Sequence, residues 1–149
     1  MTDWNQFIQP PFNQHLGIKI DKWEENRVEI SAELQPEFCN SQGIPHGGFI
    51  CTLIDSAAGL SGIYCPNPDR KRRALTLSLN TNFTGQASSN TLRAVGTVTS
   101  AGRKIFHTAV NVYDGNDTLV ATGTGVFRYR TGSETVEGSP REPDEAIGE

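Results

Sequence analysis

Alternating apolar and polar residues predict six β-strands along the chain. The alternation is clearest over residues 27–34, where charged or hydroxyl side chains separate Val28, Ile30, Ala32 and Leu34. This two-residue period is typical of a strand with one buried face. A shorter alternation covers residues 18–21, and Glu25-Asn26 forms a plausible hairpin turn between the two. Further strands are predicted at 75–83, 91–100, 104–113 and 119–129, with turn sequences such as Asp114-Gly115 between them.

One long helix is predicted over residues 47–63, between the second and third strands. Its second half, from Ser56 to Gly62, consists mainly of small residues, which would let the helix lie very close to a sheet. A short helical segment over residues 2–16, interrupted at Pro10-Pro11, precedes the first strand, with Phe7, Ile8, Phe12 and Leu16 as its apolar contacts. Residues 131–149 have no apolar period and are rich in Glu, Pro, Gly and Ser, so a disordered acidic tail is expected there.

This order of elements predicts an α+β fold, in which an antiparallel sheet is covered on one face by the long helix. The folded domain is expected to span residues 1–130. A sheet of this kind has exposed edge strands, and pairing through an edge in a dimer is an expected solution.

Composition removes several classes of function. The chain has 149 residues, enough for one domain with a real core. Residues 1–130 carry 12 Lys/Arg and 11 Asp/Glu, which is not the basic surface of a nucleic-acid-binding protein. No membrane-spanning run or signal peptide is expected. Cys39, Cys51 and Cys65 lack metal-ligand spacing, so we expect no metal site, and a reducing cytoplasm is the simplest interpretation.

The residues most suggestive of chemistry lie where the long helix begins. Pro45-His46-Gly47-Gly48 forms a turn whose uncovered backbone N–H groups, with the positive end of the helix dipole, suit a developing oxyanion. Asp55 follows two turns later among Phe49, Ile50, Leu53 and Ile54, where burial is expected to favour its neutral form. A buried acid is costly, which favours a functional role over a structural one.

These features resemble the hotdog-fold acyl-CoA thioesterases, in particular the phenylacetate-pathway (PaaI-type) subgroup. The resemblance covers roughly residues 15–130 and is carried by Asn40, Gly43, His46-Gly47-Gly48, Asp55 and Gly59, by the strand Leu75–Phe83, and by the turn Ala101-Gly102-Arg103. It implies a sheet wrapped around the central helix and active sites shared between two subunits, in a homodimer or a dimer of dimers.

The resemblance also implies roles for individual residues. The Gly47 N–H would bind the thioester carbonyl, Asp55 would be the nucleophile or general base, and Asn40 and Thr76 would position the water. His46 could cap the helix or, less simply, act as a base. Binding of substrate or coenzyme A is expected from Gly48, Asn80, Phe83, Arg73, Gly102 and Arg103. The run Arg70-Lys71-Arg72-Arg73 could hold the coenzyme A phosphates or be a solvated loop.

Helix geometry leads independently to a dimer. Gly47 and Asp55 are eight residues apart, about 12 Å of helix rise, whereas both groups must lie about 3 Å from one reacting centre. If both act on one thioester, they come from two chains. No cofactor is needed, since coenzyme A belongs to the substrate and its thiolate leaves readily. The alternatives are a hydratase of acyl thioesters, a non-catalytic acyl-CoA binding module and a structural dimer subunit.

Overall fold

Six antiparallel strands form the main sheet of the computed structural model, which describes Trp4 and residues 9–142. The spatial order is β1-β2-β5-β6-β7-β4. The strands are β1 (Lys19–Glu24), β2 (Arg27–Glu33), β4 (Ala74–Phe83), β5 (Thr91–Ala101), β6 (Ile105–Asp114) and β7 (Leu119–Tyr129). Five of the six strand predictions are confirmed to within one residue, and the first strand extends three residues beyond the predicted 18–21, to Glu24. Asn26 has the positive φ of 64° that a tight hairpin turn requires.

The long helix α2 (Gly47–Gly62) lies against this sheet and confirms the α+β prediction. One face is buried, through Phe49, Ile50, Leu53, Ile54, Ala57, Ala58 and Ser61. The helix approaches so closely that a Cβ on Gly96 of β5 would overlap the Ala57 carbonyl, and a Cβ on Gly62 would overlap the Phe106 ring. The small residues of the sequence therefore set the distance between helix and sheet.

Side chains from the sheet satisfy carbonyls at the end of α2, where no further helical N–H is available. Trp23 Nε1 donates to the Leu60 carbonyl at 2.8 Å, and the Tyr129 hydroxyl donates to the Gly62 carbonyl at 2.9 Å. These bonds fix the end of the helix to both sides of the fold.

The N-terminal helix α1 covers only Pro11–His15. Pro11 begins this helix, as the rigid φ of proline allows at a first turn, and Gln9 and Pro10 before it are not helical. Most of the predicted helical segment before Pro10 lies outside the described residues, so that part stays a prediction. Phe12 is 60% exposed and is not a core contact, whereas Leu16 packs against the core. Phe7 and Ile8 lie outside the described residues.

The C-terminal residues 131–142 correct the expectation of disorder. The short strand β8 (Ser139–Pro140) pairs with β3 (Arg70–Lys71) in a second, two-stranded sheet. Ser133 is only 2% exposed, and its hydroxyl accepts a hydrogen bond from the Arg73 N–H at 2.8 Å. Composition did not predict this order, because the β-pairing of the segment is made by its main-chain N–H and C=O groups, which do not depend on the amino-acid type. Residues 143–149 lie outside the described part of the chain.

Strand β4 forms an edge of the main sheet and is exposed for most of its length. Leu75, Leu77 and Leu79 are 47%, 56% and 36% exposed, and Phe83 is 58% exposed. A row of apolar side chains on an unpaired edge is the kind of surface that another chain covers.

A buried carboxylate stabilises the hairpin between β6 and β7. Asp114 is 2% exposed and accepts hydrogen bonds from the Ser88 N–H and hydroxyl, the Asn116 N–H and the Thr118 N–H, at 2.8–3.0 Å. These donors, the Ser88 N–H first among them, lower the pKa of Asp114 from 3.8 to about 2.

The lowered pKa of Asp114 makes a contribution to stability that is present above pH 3.8 and is lost as the pH falls towards 2. We expect Asp114→Asn to lower the free energy of unfolding at pH 7. The difference from the wild type should shrink between pH 4 and pH 2, where the wild-type carboxylate takes up its proton. Denaturant titrations across this range measure the difference, and a difference that stays constant with pH would contradict this role.

Candidate active site

Asp55 lies on the side of α2 that faces the edge strand β4. It is only half-buried, whereas Phe49, Ile50, Leu53 and Ile54 are buried in the core. The expectation that Asp55 is enclosed by Phe49, Ile50, Leu53 and Ile54 is therefore wrong. Thr76 of β4 donates its hydroxyl to Asp55 Oδ1 at 2.8 Å, so helix and edge strand together orient one carboxylate oxygen.

The Asp55–Thr76 pair stands where two depressions of the surface meet. One is a cavity of about 580 Å³, and the other is a more open groove of about 340 Å³. Both are lined by Asp55 and Thr76 together with Phe12, Asn13 and Ser56. A substrate reaching the carboxylate can thus extend in two directions, one more enclosed than the other.

The larger cavity is lined largely by apolar and aromatic groups. Trp4, Ile20 and Trp23 form part of its wall, and Gly59, Leu60 and Ile63 of α2 form another. Trp4, Trp23 and Tyr64 contact one another edge to face, with ring centroids 5.2–5.9 Å apart. Polar groups line the same cavity, among them Asp55, Thr76 and the basic side chains of Arg141 and of the run from Arg70 to Arg73. A mainly apolar wall with a small number of polar groups is typical of small-molecule sites.

The turn before α2 leaves one amide uncovered. His46 is the N-cap, and its Nδ1 accepts a hydrogen bond from the Gly48 N–H at 2.9 Å. This contact confirms that His46 caps the helix, and it gives Gly48 a partner within its own chain. The Gly47 N–H has no acceptor among the described residues, so it is available to a ligand oxygen. The Phe83 ring lies 3.2 Å from where a Gly47 Cβ would be.

Asn40 organises the loop that leads into this turn. Its Oδ1 accepts hydrogen bonds from the Gln42 N–H at 2.9 Å and the Ile44 N–H at 3.4 Å, and its own N–H donates to the Ile44 carbonyl at 2.8 Å. Neither Asn40 nor Gly47 lines the cavity or the groove that Asp55 borders. One chain thus brings Asp55 and Thr76 together, and holds Asn40, His46 and Gly47 in a separate group.

The expected coenzyme A contacts are dispersed. Arg73 lines the larger cavity. Asn80 is exposed on β4, and its Oδ1 accepts from the Asn82 side chain at 3.4 Å. Gly102 and Arg103 form the exposed turn between β5 and β6, and line neither depression. The run from Arg70 to Arg73 is not simply a solvated loop, because Arg70 and Lys71 pair with β8 and all four residues line the larger cavity.

Sequence reasoning missed most of the cavity wall. Trp23 and Ile20 lie on β1, whose pattern predicts only a strand, and nothing in the sequence places Trp4 beside them. Asn13 is buried, and its Oδ1 accepts a hydrogen bond from the Ser56 hydroxyl at 3.4 Å. These positions come together through tertiary packing, which leaves no local signal.

Comparison with known proteins decides the family. The family model described as "Thioesterase superfamily" matches residues 42–121, which include Gly47, Asp55 and Thr76. The chain belongs to the thioesterase superfamily. "Putative esterase TV1331" of Thermoplasma volcanium is 30% identical over 128 residues, covering 85% of this chain and 94% of that protein. "Medium/long-chain acyl-CoA thioesterase YigI" of Salmonella typhimurium is 25% identical over 130 residues, covering 78% and 84%.

Comparison with solved structures confirms the hotdog fold. Thioesterase HI1161 of Haemophilus influenzae superposes with a TM-score of 0.76 at 21% identity, covering 87% of this chain and 91% of that one. Conserved protein PA5202 of Pseudomonas aeruginosa gives a TM-score of 0.72 at 26% identity, covering 85% and 98%. Across Trp4 and residues 9–142, none of the helices is both long and apolar enough to cross a membrane.

The hydroxyl of Thr76 gives a direct test of the Asp55 geometry. We expect Thr76→Val to lower kcat for thioester hydrolysis by about 10- to 100-fold, because a hydrogen bond to a charged group is lost. Thr76→Ser keeps the donor and should recover most of the rate. Thr124→Val, an exposed change on β7, is the matched control. Equal kcat values for the valine and serine variants would exclude this role for the hydroxyl.

Proposed function

We propose that this protein hydrolyses acyl-CoA thioesters to a free acid and coenzyme A. The observation that carries the proposal is the Asp55–Thr76 pair at the mouth of an apolar cavity. A carboxylate held by a hydroxyl suits the activation of water, and the cavity suits an acyl group. The relative named as a medium/long-chain acyl-CoA thioesterase supports the same substrate class. The narrower phenylacetate-pathway assignment stays a prediction.

The mechanism uses Asp55 as general base or as nucleophile. As a base, it takes a proton from a water whose oxygen attacks the thioester carbon. The carbonyl electrons move onto oxygen, where the Gly47 N–H and the dipole of α2 stabilise the negative charge. Collapse of this intermediate breaks the C–S bond, and the thiolate leaves and takes up a proton. As a nucleophile, Asp55 attacks the thioester carbon and expels the coenzyme A thiolate to form an anhydride, and water then hydrolyses the anhydride to release the acid and restore the Asp55 carboxylate.

A complete site on this mechanism needs two subunits. Asp55 and Gly47 are too far apart along one helix to meet at a single carbonyl, and they border different parts of the surface. The exposed leucines of β4, the strand that carries Thr76, supply an apolar edge for a second copy. We therefore propose a homodimer in which the Gly47 amide of one subunit faces Asp55 of the other. The expected dimer of dimers also stays a prediction.

Coenzyme A is proposed to lie along the groove and the exposed surface beyond it. Arg73, Gly102, Arg103, Asn80 and Phe83 stay the predicted contacts; none of them lines the groove, and Arg73 lines the larger cavity. Asn40 orders the loop before Gly47 and is proposed to act by positioning that amide.

Thiol release from a panel of acyl-CoAs tests the reaction. The panel contains phenylacetyl-, benzoyl- and straight-chain acyl-CoAs. We expect turnover by the wild type and a loss of roughly three orders of magnitude in Asp55→Asn, about 4 kcal/mol of barrier, with binding retained. Asp21→Asn, an exposed acid on β1, is the matched control. Binding without thiol release by the wild type would overturn the proposal, and hydration of crotonyl-CoA in place of thiol release would assign a hydratase.

Subunit mixing tests the shared site. Gly47→Pro removes the amide donor at the first helical position, where proline is well tolerated, and His46 already has the φ of −60° and ψ of 137° that a residue before proline prefers. Gly47→Pro and Asp55→Asn should each be inactive alone. Mixed after reversible unfolding, they should recover about a quarter of wild-type activity, because half of the random dimers contain one intact site. No recovery from mixed dimers would exclude a site built from two chains.

A further inference from the structure

The larger cavity extends along α2 away from Asp55. Asp55 and Ser56 line one end of it, Gly59 and Leu60 the middle, and Ile63 the other end. The eight residues from Asp55 to Ile63 correspond to about 12 Å of helix rise. Beyond Ile63, the lining passes to Cys65, Asn67 and Pro68 of the following loop, to the basic run from Arg70 to Arg73, and to Arg141. The guanidinium groups of Arg70, Arg72 and Arg141 donate to backbone carbonyls.

The C-terminal segment, residues 131–142, closes over this loop, and we call it the C-terminal strap. Arg70 provides the firmest contacts, because its Nε donates to the Glu137 carbonyl and its Nη2 to the Gly138 carbonyl, both at 2.6 Å. Gly138 has a φ of 62°, and a Cβ there would overlap the Lys71 carbonyl. The strap therefore lies against β3 at a distance that only glycine allows.

Further contacts hold both ends of the strap. At its beginning, Arg72 Nε donates to the Ser133 carbonyl at 3.0 Å, and the Arg72 guanidinium lies 4.6 Å from the centre of the Tyr129 ring. At its end, Arg141 Nε donates to the Pro68 carbonyl at 3.0 Å, and the Arg141 N–H donates to the Asp69 carbonyl at 3.2 Å. The strap thus bridges the loop that forms the far end of the cavity.

We propose that the C-terminal strap, folded against residues 64–73, caps the far end of this cavity and sets the longest acyl group that the enzyme accepts. This inference rests on the proposed thioesterase function. An extended chain advances about 1.2 Å per bond, so 12 Å of cavity holds about ten bonds. The favoured substrates are therefore medium-chain acyl-CoAs, with the thioester at Asp55 and the methyl end near Ile63.

The cap acts on chain length through burial. Each methylene that the cavity encloses raises kcat/KM by roughly fourfold. A chain longer than the cavity gains nothing from its last carbons, because the strap blocks them and they must bend back into water. Opening the cap lets those carbons extend and also admits water beside shorter chains. Both effects raise the ratio of kcat/KM for a long acyl-CoA to that for a medium one.

Point variants of the full chain open the cap without touching the catalytic pair. Gly138→Val forces a side chain against the Lys71 carbonyl in a backbone conformation that valine resists. Arg70→Ala removes two hydrogen bonds to the strap and leaves its sequence intact. Arg128→Ala, an exposed change on β7, is the matched control for the loss of an arginine. Any contact of Arg70 with coenzyme A cancels in the ratio, since all substrates share that group.

The first readout is the ratio of kcat/KM for tetradecanoyl-CoA to that for octanoyl-CoA. We expect a rise of about tenfold or more in Gly138→Val, corresponding to two or more newly enclosed methylenes. A smaller rise is expected in Arg70→Ala, and no change in Arg128→Ala. A folded Gly138→Val variant with the wild-type ratio would overturn the proposal. If Gly138→Val does not show a cooperative unfolding transition, the same ratio is measured for Arg70→Ala. A wild-type ratio in that variant would then overturn the proposal.

The second readout does not depend on turnover. The chain has two tryptophans, Trp4 and Trp23, and both line the cavity. In Asp55→Asn, octanoyl-CoA should change the tryptophan emission, whereas coenzyme A alone should not. An equal change with both ligands, or none with octanoyl-CoA, would place the acyl group elsewhere and overturn the proposal. A wild type that hydrolyses no thioester but shows the emission change would refute the proposed function and leave the cavity as an acyl-binding site.

Discussion

The close approach of α2 to the sheet is the constraint on which the site depends. A Cβ on Gly96 or Gly62 would overlap the opposing element, so the helix lies at one distance and in one rotation. That rotation buries Leu53, Ile54, Ala57 and Ala58 and leaves Asp55 half-buried beside Thr76 of β4. The carboxylate is therefore held by a rigid element, and the half-buried position gives it access to both water and substrate. Rigid support of this kind is what a reacting group needs to keep its geometry.

The length of the same helix separates the two proposed catalytic groups, the Gly47 amide and the Asp55 carboxylate. The first amide of a helix always lies at its end, and a side chain two turns later lies well beyond reach of the same small group. A fold with one central helix can bring the two groups together only by repetition, and in the proposed homodimer the twofold symmetry would provide the second copy. Strand β4 would serve both the dimer and the site, because its exposed edge and the hydroxyl that orients Asp55 belong to the same strand.

Local patterns predicted the elements well and the surroundings of the site poorly. The two-residue period located every strand of the main sheet, since alternation directly reflects which face is buried. The sequence also indicated the Pro45–Gly48 turn and Asp55, because the roles proposed for a helix-start amide and for a carboxylate each require particular residue types. The exposure of Asp55 was predicted wrongly: its neighbours in sequence are apolar, but they turn to the other face of the helix. Trp4, Asn13 and the C-terminal strap left no signal, because main-chain hydrogen bonds and long-range packing place them.

The arginines that hold the strap bind carbonyl groups of the backbone, and this has a consequence for how such enzymes diverge. A guanidinium that binds a carbonyl does not depend on the side chain of the residue that carries this carbonyl, so strap positions other than Gly138 can change without loss of these bonds. The family match ends at residue 121, before the strap begins, and Trp4 and Trp23 precede its start. These parts of the cavity wall can therefore differ between proteins that match the same family model over Gly47, Asp55 and Thr76. Two proteins with the same catalytic signature would then share a reaction without sharing a metabolic role.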